Sequence, residues 1–381
     1  MNKEKAFFGS GVPIVNFVDV FHNRILMPDM LMGRVTLTEK EIKNHEIKQG
    51  DIFFTRTSET INEIGYPSVM LGVPDCTVFS GFVLRGRAIG DDPLNNLFKS
   101  YIFFTEHFRK EMIKKSSMTT RALTSGTALK EMIIKFPASE NEQTNIGILF
   151  KHLDVIIALQ QRQLDLYTKL KKGLLQKLFP KDGENVPEIR FADFHDDWEH
   201  HKFNEIYKKE TEKNDLSFGS DKIISVAKMY FKNDNQDSKV DYMKTYNIFR
   251  VGDIAFEGNK SKNFKFGRFV ENTIGDGIVS HVFDVFRPIN LDSHGLIYWK
   301  YAIHDELFMR DILRKATTHA TMMTNLVSSD FLKQTIRVPC YEEQNQIGNL
   351  LQNIDNYIES EQSKLKEMKI LKKYLLQKLF I

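Results

Sequence analysis

Two stretches of this chain place apolar residues along a single helical stripe. Stepping alternately by four and three from Ile146 gives Ile146, Phe150, Leu153, Ile157, Gln160, Leu164, Tyr167, Lys171, Leu174 and Leu178, eight of ten apolar. The same walk from Ile347 gives Ile347, Leu351, Ile354, Ile358, Glu361, Leu365, Met368, Lys372, Leu375 and Leu379, with the polar breaks at matching places. A 3.5-residue seam with interspersed charge is the pattern of a coiled-coil helix. The two stretches are also copies of one another. Residues 141–179 and 342–380 align without gaps at an offset of 201, with 18 identities in 39 positions, and both end in Leu-Leu-Gln-Lys-Leu-Phe. At 1.5 Å per residue each predicts a helix roughly 58 Å long. A stripe this narrow needs a partner, and the sequence twin is the obvious one. Ser139 and Glu142 form a candidate capping box at the first start, which the second copy lacks.

Elsewhere the pattern changes. Residues 1–138 and about 190–340 are rich in Phe, β-branched residues and Gly turns, with short alternating runs. Gly50-Asp51-Ile52-Phe53-Phe54 has a counterpart in Gly252-Asp253-Ile254-Ala255-Phe256, and each segment closes alike, on Ile134-Lys135-Phe136-Pro137 and Ile336-Arg337-Val338-Pro339. These runs predict an α+β chain of two mixed globules with small sheets. Residues 1–140 form the first globule, 141–180 the first long helix, 181–190 a polar Pro/Gly linker, 191–340 the second globule and 341–381 the second helix.

Composition narrows the class. With 381 residues the prior is two or three domains, and 41% hydrophobic and 27% charged residues suit a globular chain with real cores. The net charge is +3, with 24 basic and 19 acidic side chains in residues 1–180 against 29 and 31 in the remainder. Nucleic-acid binding would therefore rest on local patches or on partners that supply phosphate contacts. Two cysteines, Cys76 and Cys340, exclude a disulfide framework and a four-thiolate zinc site. No apolar run reaches the roughly 18 residues of a spanning helix. Lys3, Lys5 and Ala6 are followed by Gly9, Gly11, Pro13 and Asn16, which is not a secretory signal. A cytoplasmic protein is expected.

These residues resemble the specificity subunits of type I restriction-modification systems. The resemblance runs over nearly the whole chain and rests on the two Glu-Gln…Ile-Gly…Leu…Asp…Ile helices ending in Leu-Leu-Gln-Lys-Leu-Phe. It rests also on Gly50 through Thr60, on Thr77-Val78-Phe79-Ser80-Gly81-Phe82, and on the linker from Leu178 through Pro187-Glu188-Ile189-Arg190-Phe191 to Trp198. It implies two target-recognition domains, each reading half of a split site in double-stranded DNA. The two helices would pair as an antiparallel spacer that relates the domains by a pseudo-twofold axis. It implies docking of two methyltransferase (modification) subunits and of a restriction helicase-nuclease. The chain itself would hold no cofactor, with S-adenosylmethionine, ATP and magnesium on the partners. Ile146, Leu153, Ile157, Leu164, Leu174, Leu178, Ile347, Ile354, Ile358, Leu365, Leu375 and Leu379 are the candidate spacer and partner-docking positions. One departure stands out. Aligning Phe8-Gly9-Ser10 with Phe218-Gly219-Ser220 starts the first half about 30 residues late, so that domain is expected to lack its opening strand.

Candidate DNA contacts follow the strands. Thr55, Arg56, Thr57, Ser58 and Glu59, with Thr60, offer hydroxyls, a guanidinium and a carboxylate in a row, groups that suit base edges and phosphates. The counterpart is Asn259, Lys260, Ser261 and Lys262, with Lys265 and Arg268 interleaved with Phe264 and Phe266. A third patch, Lys115, Thr119, Thr120 and Arg121, pairs with Lys315, Thr318 and His319. A solvated polar loop is the plain alternative for each, and a Lys-rich helix C-terminus for the last two.

Catalytic motifs are missing. Asp29, Glu41 and Lys43 match the letters of a magnesium nuclease, a coincidence that arises easily in a chain this charged. There is no P-loop, no Asn-Pro-Pro-aromatic tetrapeptide and no Gly-x-Ser-x-Gly elbow, and His200-His201 lacks a third ligand. Two other readings remain open on residues alone: a coiled-coil scaffold with no DNA role, and an inactive truncated specificity chain.

Overall fold

A computed structural model describes residues 7–181, 183–232, 240–319 and 323–380; Lys3, Lys5 and Ala6 lie outside them. The stripes at the ends of the repeat fold into two long helices, Glu140–Leu178 and Tyr341–Lys378. The seam explains them: of the twelve spacer positions, Ile146, Leu153, Leu164, Leu178, Ile347, Ile354 and Leu365 are buried. Ile157, Leu174, Ile358, Leu375 and Leu379 are half-buried. Ser139 caps the first helix, its hydroxyl accepting from the Glu142 amide at 3.4 Å.

The chain divides into two compact units that do not follow linear order. The first is Met1–Arg162 with Ser363–Ile381, and the second is Gln163–Gln362. Each therefore holds one globule, the beginning of one long helix and the end of the other. Inside each unit the two helix segments run antiparallel. In the first, Phe150 meets Phe380 and Asp154 pairs with Lys372. In the second, Tyr167 meets Tyr357 and Lys171 pairs with Asp355 at 2.5 Å. The polar break at Lys171 and Lys372 is thus an ion pair with the motif aspartate of the other copy. Tyr101 donates to Asp154 at 3.0 Å and Tyr301 to Asp355 at 2.7 Å, so each aspartate also locks a helix of its globule.

The rest of the repeated motif has an equally local reason. Gly147 lies so close to the 96–102 helix that a Cβ would stand 2.9 Å from the Phe98 amide. Gly348 is 2.7 Å by the same measure from that of Tyr298. Gln143 accepts from the Asn95 amide and donates to the Pro137 carbonyl, as Gln344 does with Gly295 and Pro339. The terminal phenylalanines are anchors: Phe380 stacks on Phe98, and Phe179 packs on Tyr298 and Phe308.

Each globule is built on three matched antiparallel strands. Ile52–Thr55 lies between Pro67–Met70 and Val83–Gly86 in the first, and Ile254–Glu257 between Arg268–Glu271 and Val285–Pro288 in the second. The repeated Gly-Asp starts the central strand. Asp51 accepts from the Lys48 amide and binds Arg87, and Asp253 accepts from the Arg250 amide and binds Arg287. Behind these sheets sit aromatic cores, Phe98, Tyr101, Phe108 and Phe150 in one unit and Trp198, Phe203, Tyr298, Trp299 and Phe331 in the other. Burying each such ring contributes about 1.5–3 kcal/mol.

Ile14 pairs in parallel with Val78 in the first unit, as Ile223 does with Ile278 in the second, so the two enter the shared fold at matching points. The second unit has strands Glu199–Lys202 and Tyr207–Glu210 ahead of that point, on Thr335–Val338 and Val285–Pro288. The first has no counterpart among the described residues. Its fourth strand, Ile25–Leu26, instead joins the opposite edge, beside Pro67–Met70.

Candidate nucleic-acid interface

In the first unit two patches that are about 60 residues apart in sequence share one small sheet. The order is Thr57–Ser58, Ala122–Leu123, Ser117–Met118, all antiparallel. The strand Ile52–Thr55 delivers the chain to this place, and the Arg56 backbone is held on both sides, by the Phe82 carbonyl at 3.2 Å and the Thr124 amide at 3.0 Å. Arg56 is exposed, its guanidinium without a partner among the described residues, and Glu59, Thr119, Thr120 and Arg121 are exposed around the two turns. Thr57 is half-buried in the sheet.

Three members of this set do other work. Thr55 is fully buried, its hydroxyl accepting from the Tyr66 amide at 2.9 Å, so it links strands and does not reach solvent. Ser58 is buried too and accepts from the Thr60 amide, shaping the turn. Lys115 is paired with Glu131 at 3.1 Å at the end of the Glu106–Lys114 helix. The alternating direction of strand side chains accounts for the split: successive residues face opposite sides, so Arg56 points out where Thr55 points in.

The second unit repeats the arrangement with different parts. Strands Thr317–His319 and Thr324–Leu326 form a hairpin, and Met323 bridges to Asn259. The Gly258 carbonyl accepts from both the amide and the hydroxyl of Thr324. A Cβ on Gly258 would stand 2.2 Å from the Thr324 carbonyl oxygen, so only glycine permits this approach. Buried Glu257 then organises the loop, accepting from Asn259 at 2.5 Å and from Arg268 at 2.9 Å. Arg268 also donates to the Ala227 carbonyl and stacks 4.7 Å over Phe264. Its guanidinium is spent inside the protein, which removes Arg268 from the direct contacts. Asn259, Ser261, Lys262, Lys265, Lys315 and Thr318 are exposed and Lys260 is half-buried.

Sequence reading missed the apolar members. Phe82, beside Arg56, is 62% exposed, and Leu123 and Met323 lie exposed on the two small sheets. Their identity alone gave no sign of this, because exposure of a large apolar side chain is decided by the fold.

Behind the 259–268 loop a cavity of about 420 Å³ is lined by Lys171, Phe264, Glu271, Lys300, Tyr301 and His304. Burial raises the Glu271 carboxyl well above its usual range, and neither oxygen has a hydrogen-bond partner among the described residues. His294 stands 3.5 Å away, and burial lowers it to about 3.

Glu41 caps its own helix, accepting from the amide and hydroxyl of Thr38, and His201 lies against Glu199 and Glu205. Among the described residues no three His, Cys, Asp or Glu side chains are grouped to hold a metal ion. No described helix is long and apolar enough to cross a membrane.

Of the twelve seam positions, expected to serve docking as well as spacing, seven are buried within the chain and five are half-buried. A second row at heptad spacing, Ile148, Val155, Leu159, Leu166 and Leu170, is exposed on the first helix. Helical geometry gives the two rows different directions.

Comparison with known proteins bears on both units. Residues 195–369 match the family described as the type I restriction modification DNA specificity domain. A putative type I restriction enzyme MjaX specificity subunit from Methanocaldococcus jannaschii is 24% identical over 207 residues, which is 52% of this chain and 46% of that protein. The match thus spans less than half of that relative. Among solved structures, a type-I restriction-modification S subunit from M. genitalium superposes with a TM-score of 0.57 at 14% identity. It covers all of this chain and 92% of the other. The HsdS subunit from Thermoanaerobacter tengcongensis gives 0.51 at 16% identity, covering 97% and 90%.

Proposed function

We propose, from the match of residues 195–369 to the type I restriction modification DNA specificity domain, that the whole chain is the sequence-reading subunit of such a system. Each unit reads one half of a bipartite site in double-stranded DNA. The observation that carries this reading is the recurrence of one design. In both units a strand-end loop and a distant hairpin are fastened side by side, through Thr124 on Arg56 and through Thr324 on Gly258. Two loops held at fixed spacing present hydroxyls, amides and cations to base edges and phosphates. The exposed candidates are Arg56, Glu59, Thr119, Thr120, Arg121, Asn259, Ser261, Lys262 and Thr318.

On this reading the chain is not catalytic. Methyl transfer and cleavage belong to two modification subunits and to helicase-nuclease subunits, which carry S-adenosylmethionine, ATP and magnesium. The exposed row Ile148, Val155, Leu159, Leu166 and Leu170 is the surface we assign to modification-subunit docking. A near-neutral reader suits this division, since the partners supply much of the phosphate attraction. The complex works on cytoplasmic DNA.

The deciding experiment is a methylome of cells expressing this chain with its cognate modification subunits. A gapped methylated motif is expected. Exchanging residues 257–268 should alter one half of it and leave the other intact. Methylation without any sequence motif would sink the proposal.

A further inference from the structure

The two units treat one pair of charges differently. In the first, Lys115, just past the Glu106–Lys114 helix, pairs with Glu131 at 3.1 Å, just past Gly126–Lys130. The second unit repeats both elements as Glu306–Ala316 and Ser328–Lys333. Lys315 keeps the first cation, but the position of Glu131 is taken by Lys333. An attractive pair has become two cations, and Arg337 adds a third from the strand Thr335–Val338.

These three side chains line one hollow of about 380 Å³, with Asp311, Gln334 and Gly183 among its other walls. The acid on the wall is already engaged, Asp311 accepting from Arg314 at 3.1 Å. Lys333 approaches Asp330 at 3.7 Å in an exposed pair, which neutralises little. Lys315 and Arg337 have no ion-pair partner among the described residues, and the Arg337 Nε is closed off from water without an acceptor. A buried guanidinium N–H left unmatched is costly, and like charges around a hollow repel one another. A cation near a helix C-terminus, as Lys315 is, is ordinary. Lys333 and Arg337 belong to other elements, so the helix end does not account for the three together.

We infer that this hollow binds a phosphate group. A dianion offsets the surplus of cations that the loss of the matching acid creates. Arg337 brings planar donors and the lysines bring point charges, the combination that suits phosphate oxygens. The position has a consequence too. Lys315 leads directly into the hairpin of Thr317–His319 and Thr324–Leu326, so the site lies at the foot of the second unit's candidate DNA loops. The phosphate comes either from the duplex backbone, which rests on the functional reading above, or from a free phosphate, which does not.

Two measurements test the site and separate these sources. In the first, inorganic phosphate is titrated into the full chain by calorimetry. Saturable binding at one site is expected. Lys333→Glu, which restores the charges of the first unit at an exposed position, and Arg337→Gln should each weaken it about tenfold or more. In the second, the salt slope of duplex binding by the assembled complex is compared before and after each substitution. A slope lowered by about one assigns the site to the DNA backbone. An unchanged slope with weakened phosphate binding assigns it to a free phosphate. Phosphate binding that is absent or indifferent to both substitutions, together with an unchanged slope, overturns the inference. If the unaltered complex binds no duplex at all, the DNA reading fails separately and the phosphate titration alone decides.

Discussion

The two units use the same three strands, the same helix anchors and the same Gly-Asp turn, yet they differ in what surrounds one carboxylate. Glu343 is sealed under Arg190 and Trp198, whereas Glu142 faces solvent. One sequence motif therefore does two physical jobs. In the second unit it is a buried ion pair, whose charge would be costly if left alone. In the first it is a surface charge that contributes little. The repeat specifies a scaffold, and the segment laid over it decides how much each position matters.

The largest test of this contrast is Glu343→Ala against Glu142→Ala. The first strands Arg190 and the Trp198 indole without an acceptor and should cost the second unit about 3–5 kcal/mol. The second should stay within ~0.5 kcal/mol. Urea unfolding followed through Trp198 and Trp299, both in the second unit, reads one cost, and hydrogen exchange of the first unit reads the other. Equal effects would mean the two corners are not different.

Gly147→Ala and Gly348→Ala should instead behave alike. In each case the new methyl meets backbone of a packed helix, and about 1–3 kcal/mol is expected in its own unit. A large cost at one and none at the other would break the equivalence of the anchors.

Acid-base behaviour should separate the units again, because the place of Glu271 in the matched strand of the first unit is held by Val69. Glu271 is raised when folded, so the native state holds its proton at pH values where the unfolded chain has lost it. Stability from this group is complete below the unfolded carboxyl range and is lost as pH rises toward the folded value. His294, lowered to about 3 from 6.5, works in the opposite sense: it favours folding above pH 6.5 and is lost as pH falls from there. The glutamate slope, up to ~1.4 kcal/mol per pH unit for one proton, begins as pH rises above the unfolded carboxyl range. Glu271→Gln should flatten it in pH-dependent unfolding of the second unit. An unchanged slope would show that the carboxyl is already ionised.

The smallest effects concern phosphate contacts. Arg121→Ala or Lys262→Ala in the assembled complex should lower the salt slope of DNA binding by about one without changing the recognised sequence. A changed motif would move these residues from positioning to reading.

Much of this molecule was legible along the chain. The seam residues and the pairing of the two helices with each other follow from periodicity and repeat alignment, since a 3.5-residue stripe has few ways to be buried; their antiparallel sense was implied by the family resemblance. The candidate contacts were legible as stretches but not as residues. Thr55 and Ser58 are buried, and Arg268 belongs to Glu257, because strand alternation and a partner 11 residues away decide which side chain meets water. Sequence alone determined that there are two heads, two helices and a shared set of anchors, because these depend on local period and repetition. Only the tertiary structure decided that each compact unit is assembled from the start of one helix and the end of the other, and that distant loops meet on one small sheet. It also decided that Glu142 and Glu343 lead different lives. Those outcomes depend on contacts between residues far apart in the chain, which no local pattern encodes.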